Sequence, residues 1–177
     1  MFRLFLCTVL ALPLLAKTPE WEPAQKLLDA DQFKQAAVLL EKAPQNDPDN
    51  LQLLGEAYFG LKDFKRAIDV LDRAAGIAPA RSMIHLWLGR AWGRRAESNK
   101  FMALSWARKA KDAFERAVNL DNKNVEALDD LFEYYVSAPG IVGGGLDKAE
   151  TVAKQVASID PAKGQRLLSK VAEERRK

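Results

Sequence analysis

Between Leu51 and Pro79 the sequence sets Leu51, Leu54, Gly55, Tyr58, Ala67, Leu71, Ala74 and Pro79 at spacings that two packed helices satisfy. Steps of three and four residues put Leu51, Leu54, Gly55 and Tyr58 on one face of a first helix, and Ala67, Leu71 and Ala74 on one face of a second. Only the turn Leu61 to Phe64 separates them, so the second helix must run back antiparallel to the first. Gly55 and Ala67 carry so little side chain that the two backbones can approach closely, while Leu54, Tyr58 and Leu71 fill the space around them.

This stretch resembles the tetratricopeptide repeat (TPR), a helix-turn-helix unit of about 34 residues. Its marks are a large residue, Leu, Gly and an aromatic in the first helix, then Ala, a large residue and Ala in the second, with Pro closing the turn. All eight places are filled here. The resemblance implies an all-α fold, a TPR-type α-solenoid of about four repeats with a C-terminal capping helix. The repeats are expected at about 20–47, 48–81, 82–124 and 125–161, and the cap at 161–175, within a domain spanning 17–177.

The other repeats are variations on this one. In the first, Pro23 suits the opening turn of a short helix and a second helix is expected from Phe33 to Ala43, where Ala36, Leu40 and Ala43 repeat the spacing of Ala67, Leu71 and Ala74. Ala36 stands 31 residues before Ala67, three short of the family period, and the shortening is assigned to the link around Pro44 to Asp49. The third repeat has Leu88, Gly89 and Trp92, but Gly89 to Ala110 is 21 residues where Gly55 to Ala67 is 12. Met102, Trp106, Ala110, Ala113, Ala117 and Leu120 form one helical stripe, so the nine added residues are expected to lengthen both helices into a hairpin projecting from the array, with its tip near Glu97 to Lys100. The fourth repeat has Leu128, Leu131, Phe132 and Tyr135, then Ala149, Ala153, Val156 and Pro161, with Phe132 in place of the usual glycine. Its connection, Ala138 to Gly145, is five residues longer than normal and rich in glycine, which forbids regular structure and permits positive φ. Leu167, Leu168 and Val171 give the last helix one apolar side with which to shield the end of the solenoid.

Composition narrows the function more than it defines it. The net charge of +3 is the small difference between 27 basic and 24 acidic residues, which argues against a nucleic-acid partner. Cys7 and His85 are the single cysteine and histidine, so neither a Cys/His metal cage nor a catalytic triad with a spare histidine can be assembled, and no cofactor is expected. Arg3, the apolar run Leu4 to Leu15 and Ala16 read as a signal peptide over residues 1–16, too short to span a bilayer, which takes roughly 20 residues. Export to a bacterial periplasm or beyond is therefore expected; the alternative is an inner-membrane anchor through residues 4–15, the only membrane association expected of the chain.

By the resemblance, a protein or peptide partner of unknown identity would bind in the groove lined by the outward sides of the first helices. The candidates are Gln52, Glu56 and Phe59, then Leu86, Arg90 and Arg94, then Glu126, Asp129 and Glu133. Arg90 and Arg94 could equally pair with acids of the next helix. An envelope lipid- or glycan-binding protein, using Phe59 and Leu86, is the alternative function. Gly140, Ile141, Val142 and Gly143 are a second candidate contact element, since a purely solvated loop would not need Ile141 and Val142; folding back over the helix ends is the other reading. The glycines are no Walker loop, because Leu146-Asp147 follows Gly145 where Lys and Ser/Thr would be required. The signature residues Leu54, Gly55, Tyr58, Ala67, Leu88, Gly89, Trp92, Ala110 and Ala149 are structural. Cleavage of the leader predicts a mature chain beginning near Lys17; an intact mass of envelope material retaining Met1 or Phe2 would instead mean an anchored protein.

Overall fold

A computed structural model describes residues 21–177, so the leader and anchor expectations lie outside the described residues. Four antiparallel helix pairs and a final helix follow one another: α1 (Glu22–Asp29) and α2 (Phe33–Leu40), α3 (Pro48–Gly60) and α4 (Phe64–Ile77), α5 (Ser82–Ser98) and α6 (Ala103–Leu120), α7 (Val125–Ser137) and α8 (Leu146–Ile159), then α9 (Pro161–Glu174). Their starts are chemically marked. Asp47, Asp63, Asn124 and Asp160 each accept a hydrogen bond from a backbone N–H of the turn they precede, and Pro48 and Pro161 occupy first-turn places where no N–H is needed. The first two hairpins turn the same way: Asp31 at φ 55° and Lys62 at φ 61° hold equivalent left-handed positions ahead of Phe33 and Phe64.

The two helices of each pair meet where one contributes a small residue and the other a large one. A Cβ on Gly55 would stand 2.4 Å from the Leu71 side chain, and one on Gly89 would stand 2.5 Å from the Phe114 ring. The close approach expected of Gly55 and Ala67 is thus enforced by Leu71, one turn after Ala67. In the first pair the equivalent positions are Ala24 and Leu40, both buried. In the fourth the sizes reverse: buried Phe132 stands at the glycine place and buried Ala153 at the place of Leu71 and Phe114. The small-against-large pairing is kept while the large partner changes helix.

Buried side chains form two clusters that meet at α5. Ile84, Leu88 and Ala91 belong to the cluster of α1–α4, whereas Leu86 belongs to that of α6–α9. At the far end Gly164 lets α9 close on α8, since a Cβ there would come within 2.3 Å of the Ala157 backbone.

Two expectations need correction. The first repeat is short because α2 stops at Leu40, giving 8 residues against 14 in α4, while the link to α3 is long; the shortening comes out of the helix. Gln45 explains the stop, as its side-chain amide donates 3.0 Å hydrogen bonds to the Leu40 and Ala43 carbonyls and closes the turn. Trp92 and Trp106, placed in the core by their spacing, are only partly buried; they lie against each other at 6.4 Å, beneath Arg95 and Lys109.

The glycine connection is a packed structure. Gly140–Val142 forms a 3-10 turn, Val142 is buried, the Tyr134 hydroxyl donates to its carbonyl at 2.8 Å, and Ile141 stays exposed. Gly144 is required, because a Cβ would lie 1.8 Å from the Ala138 carbonyl oxygen.

Gly55→Leu is expected to cost about 1–3 kcal/mol or more by overpacking Leu71, read as a lower melting temperature. Gly76→Ala, with open space around its Cα, should leave the melt unchanged or raise it slightly.

Candidate functional site

The concave side of the array is built by α3, α5 and α7, and a hydrophobic cleft of 440 Å³ opens there. Its apolar wall draws on four helices: Phe59 of α3 meets Trp87 of α5 edge to face at 5.3 Å, and Phe114 of α6 lies 6.3 Å from Tyr134 of α7. Gly93, at the floor, has open space where a side chain would stand. Arg94, Glu97, Asp130, Glu133 and Ser137 supply the polar edge.

Arg90 ties this surface together. Its Nε donates to Asp130 and its terminal amino group donates to Glu126 at 2.8 Å, both on α7, while the guanidinium lies 4.6 Å from the Trp87 ring centre. A planar fork engaging two carboxylates and an aromatic face uses what distinguishes arginine from lysine. Burial raises the Asp130 carboxyl above its ordinary range despite the opposing pull of Arg90. Burial acts more strongly on Glu56, lifting it from 4.5 to about 7; the Gln52 amide, which donates to it at 3.0 Å, and the Arg90 charge pull the other way.

Comparison with known proteins agrees with this architecture. The tetratricopeptide repeat family model matches residues 27–91. A thermophilic TPR protein of Thermus thermophilus superposes with a TM-score of 0.70 at 16% identity, covering 86% of this chain and 79% of that one. MamA superposes with a TM-score of 0.60 at 21% identity over 86% of this chain and 94% of its own, and MamA AMB-1 with 0.65 at 18% over 89% and 88%. The fold is a tetratricopeptide-repeat solenoid. No curated protein sequence matches the chain significantly.

Within this TPR array the sequence candidates fall into three groups. Phe59, Arg90, Arg94 and Glu133 line the cleft, with Gln52, Glu56 and Glu126 bonded to one another or to Arg90 beside it. Asp129 is turned to the cap, where Lys163 meets it at 3.0 Å; Glu133 is also shared with the cap through Lys170 at 2.6 Å. Leu86 is corrected outright: it is fully buried in the second apolar cluster, among side chains of α6, α7 and α8. Of the two arginines offered as helix-to-helix ties, Arg90 is one and Arg94 is not, since Arg94 bonds Glu97 of its own helix.

Trp87, Asp130 and Tyr134 are groove residues that the sequence reading misses. Helical stepping reaches all three. From Arg90 and Arg94 the same stripe runs back to Trp87, and from Glu126 and Glu133 it passes through Asp130, one position beyond the chosen Asp129. One further step of four from Asp130 reaches Tyr134, whose ring meets Phe114 of α6 in the cleft.

Glu56 gives a pH signature. Its folded value lies above the unfolded one, so its contribution to stability is full below about 4.5 and is lost as pH rises through about 7. Glu56→Gln, which mimics the protonated carboxyl, should match the natural chain near pH 5 and melt higher by about 2–5 °C near pH 8. Thermal melts of both proteins across this range check the sign.

Proposed function

We propose that the chain is a non-catalytic binding module of the bacterial cell envelope that takes a cationic and apolar segment of a partner protein into the concave groove. The observation that carries this reading is the cleft itself, aromatic on its walls and edged by carboxylates. Aromatic rings accept apolar side chains and the stems of lysine and arginine, whose charged heads then reach Glu56, which is in no salt bridge among the described residues. A partner carboxylate is disfavoured, because Arg90 would have to release two acids to receive it. The leader-like residues 1–16 support the envelope assignment. The lipid- or glycan-binding alternative loses support with Leu86, one of its two apolar groove residues, which is buried.

Gly93→Leu is the direct test, since it fills the cleft from a position with room for a side chain. Random displayed peptides selected on the natural chain should be enriched in Lys or Arg next to Trp, Phe or Leu, and should lose about tenfold or more in affinity for the Gly93→Leu protein at unchanged melting temperature. Peptides that bind both proteins equally, or enrichment of acidic sequences, would refute the groove assignment.

A further inference from the structure

The two departures from the regular repeat, the lengthened α5–α6 hairpin and the glycine connection, pack against each other. Arg108 of α6 donates to the Ile141 carbonyl at 3.4 Å, and Lys111, one turn further on, runs beside Gly143, where an added Cβ would come within 2.8 Å of its Cδ. Together they expose large apolar side chains that a solvated surface would not need. Phe101 at the hairpin apex is 100% exposed, Ile141 66%, Leu104 47% and Met102 43%. Leu104 stands one helical turn before Arg108, so the apex and the loop share one flank of α6.

Two cations adjoin these side chains: Lys100 beside Phe101, and Arg108 one turn after Leu104 and bonded to the Ile141 carbonyl; Arg95 and Lys109 lie further along the hairpin, 4.5 Å over Trp106 and 4.2 Å over Trp92. Among the described residues none of these four is in a salt bridge, whereas the nearby acids Glu97 and Asp112 are engaged by Arg94 and Lys111. Hydrocarbon at a convex apex with free positive charge one turn behind it matches the layering of an anionic bilayer surface, acyl chains beneath a plane of phosphates. A protein partner would need a concave seat for a fully exposed phenylalanine; a fluid surface supplies its own.

We infer that the α5–α6 apex and the Ile141 loop form a docking surface for anionic membrane, with Phe101, Met102, Leu104 and Ile141 entering the headgroup boundary and Lys100, Arg108 and their neighbours meeting lipid phosphates. This surface lies outside the concave cleft and does not depend on what the cleft binds.

The test is vesicle flotation with the full-length protein, using phosphatidylglycerol–phosphatidylethanolamine vesicles against phosphatidylcholine vesicles. Three proteins are compared: the natural chain, Phe101→Ser with Leu104→Ser, and Lys100→Glu with Arg108→Glu. All three carry the same apolar residues 4–15, so any contribution of that segment is common to them. The natural chain should prefer the anionic vesicles and lose binding as salt rises, and each double variant should bind them more weakly by roughly tenfold or more. If the serine pair melts lower, Phe101→Ser alone decides, because that side chain makes no internal contact to lose. Equal binding by natural and variant proteins overturns the inference, as does equal binding to neutral and anionic vesicles. Self-association abolished by the serine variants, with vesicle binding unaffected, would assign the patch to a second copy of the chain instead.

Discussion

Everything in this array depends on how closely the two helices of a pair can lie, and that distance is set by one small residue facing one large one. Gly55 receives Leu71 and Gly89 receives Phe114 at separations that leave no room for a methyl group. Glycine weakens a helix by about 1 kcal/mol relative to alanine, so its use in the middle of α3 and α5 marks packing that outweighs propensity. Phe132 with Ala153 shows that the constraint is on setting a small residue against a large one and not on glycine as such. With the pair distance fixed, the outward faces of α3, α5 and α7 fall into register and the concave side becomes continuous.

Charge then decorates a surface that apolar packing has already shaped. Arg90 spans from α5 to α7, and Lys163 and Lys170 hold α9 to α7. These bonds are partly exposed, so their energetic weight is modest beside that of the core. Their positional weight is larger, since they decide which carboxylates are turned to the concave side and which to the cap. Asp129 and part of Glu133 go to the cap, while Glu56 and Glu126 remain in the groove.

Much of this could be read in the sequence where it rests on local periodicity. The repeat at Leu51 to Pro79, the long hairpin and the capping helix follow from spacings that a single helix face imposes. The misses share a physical cause, which is that a spacing of one residue rotates a side chain by about 100° and decides between groove and core. Leu86 and Trp87 are neighbours, one buried in the second apolar cluster and the other in the cleft; Asp129 and Asp130 divide in the same way between cap and Arg90. The early end of α2 was hidden because it goes with a local capture of the Leu40 and Ala43 carbonyls by the Gln45 side chain, which helix spacing does not encode. The fold of the glycine loop was half legible: Val142 turned inward and Ile141 outward, where their common apolarity made no distinction.

The sharing of α5 between two apolar clusters has a mechanical side. A chain of stacked hairpins bends where its layers are joined most narrowly, and here one helix is the common wall of both halves. The joint is not symmetric. Toward α3 and α4 it is filled by the buried side chains Ile84, Leu88 and Ala91; toward α7 the two-pronged grip of Arg90 is added to the apolar contact. A change that disturbs α5 is therefore felt in both halves of the solenoid at once, because no other described helix contributes fully buried side chains to both clusters.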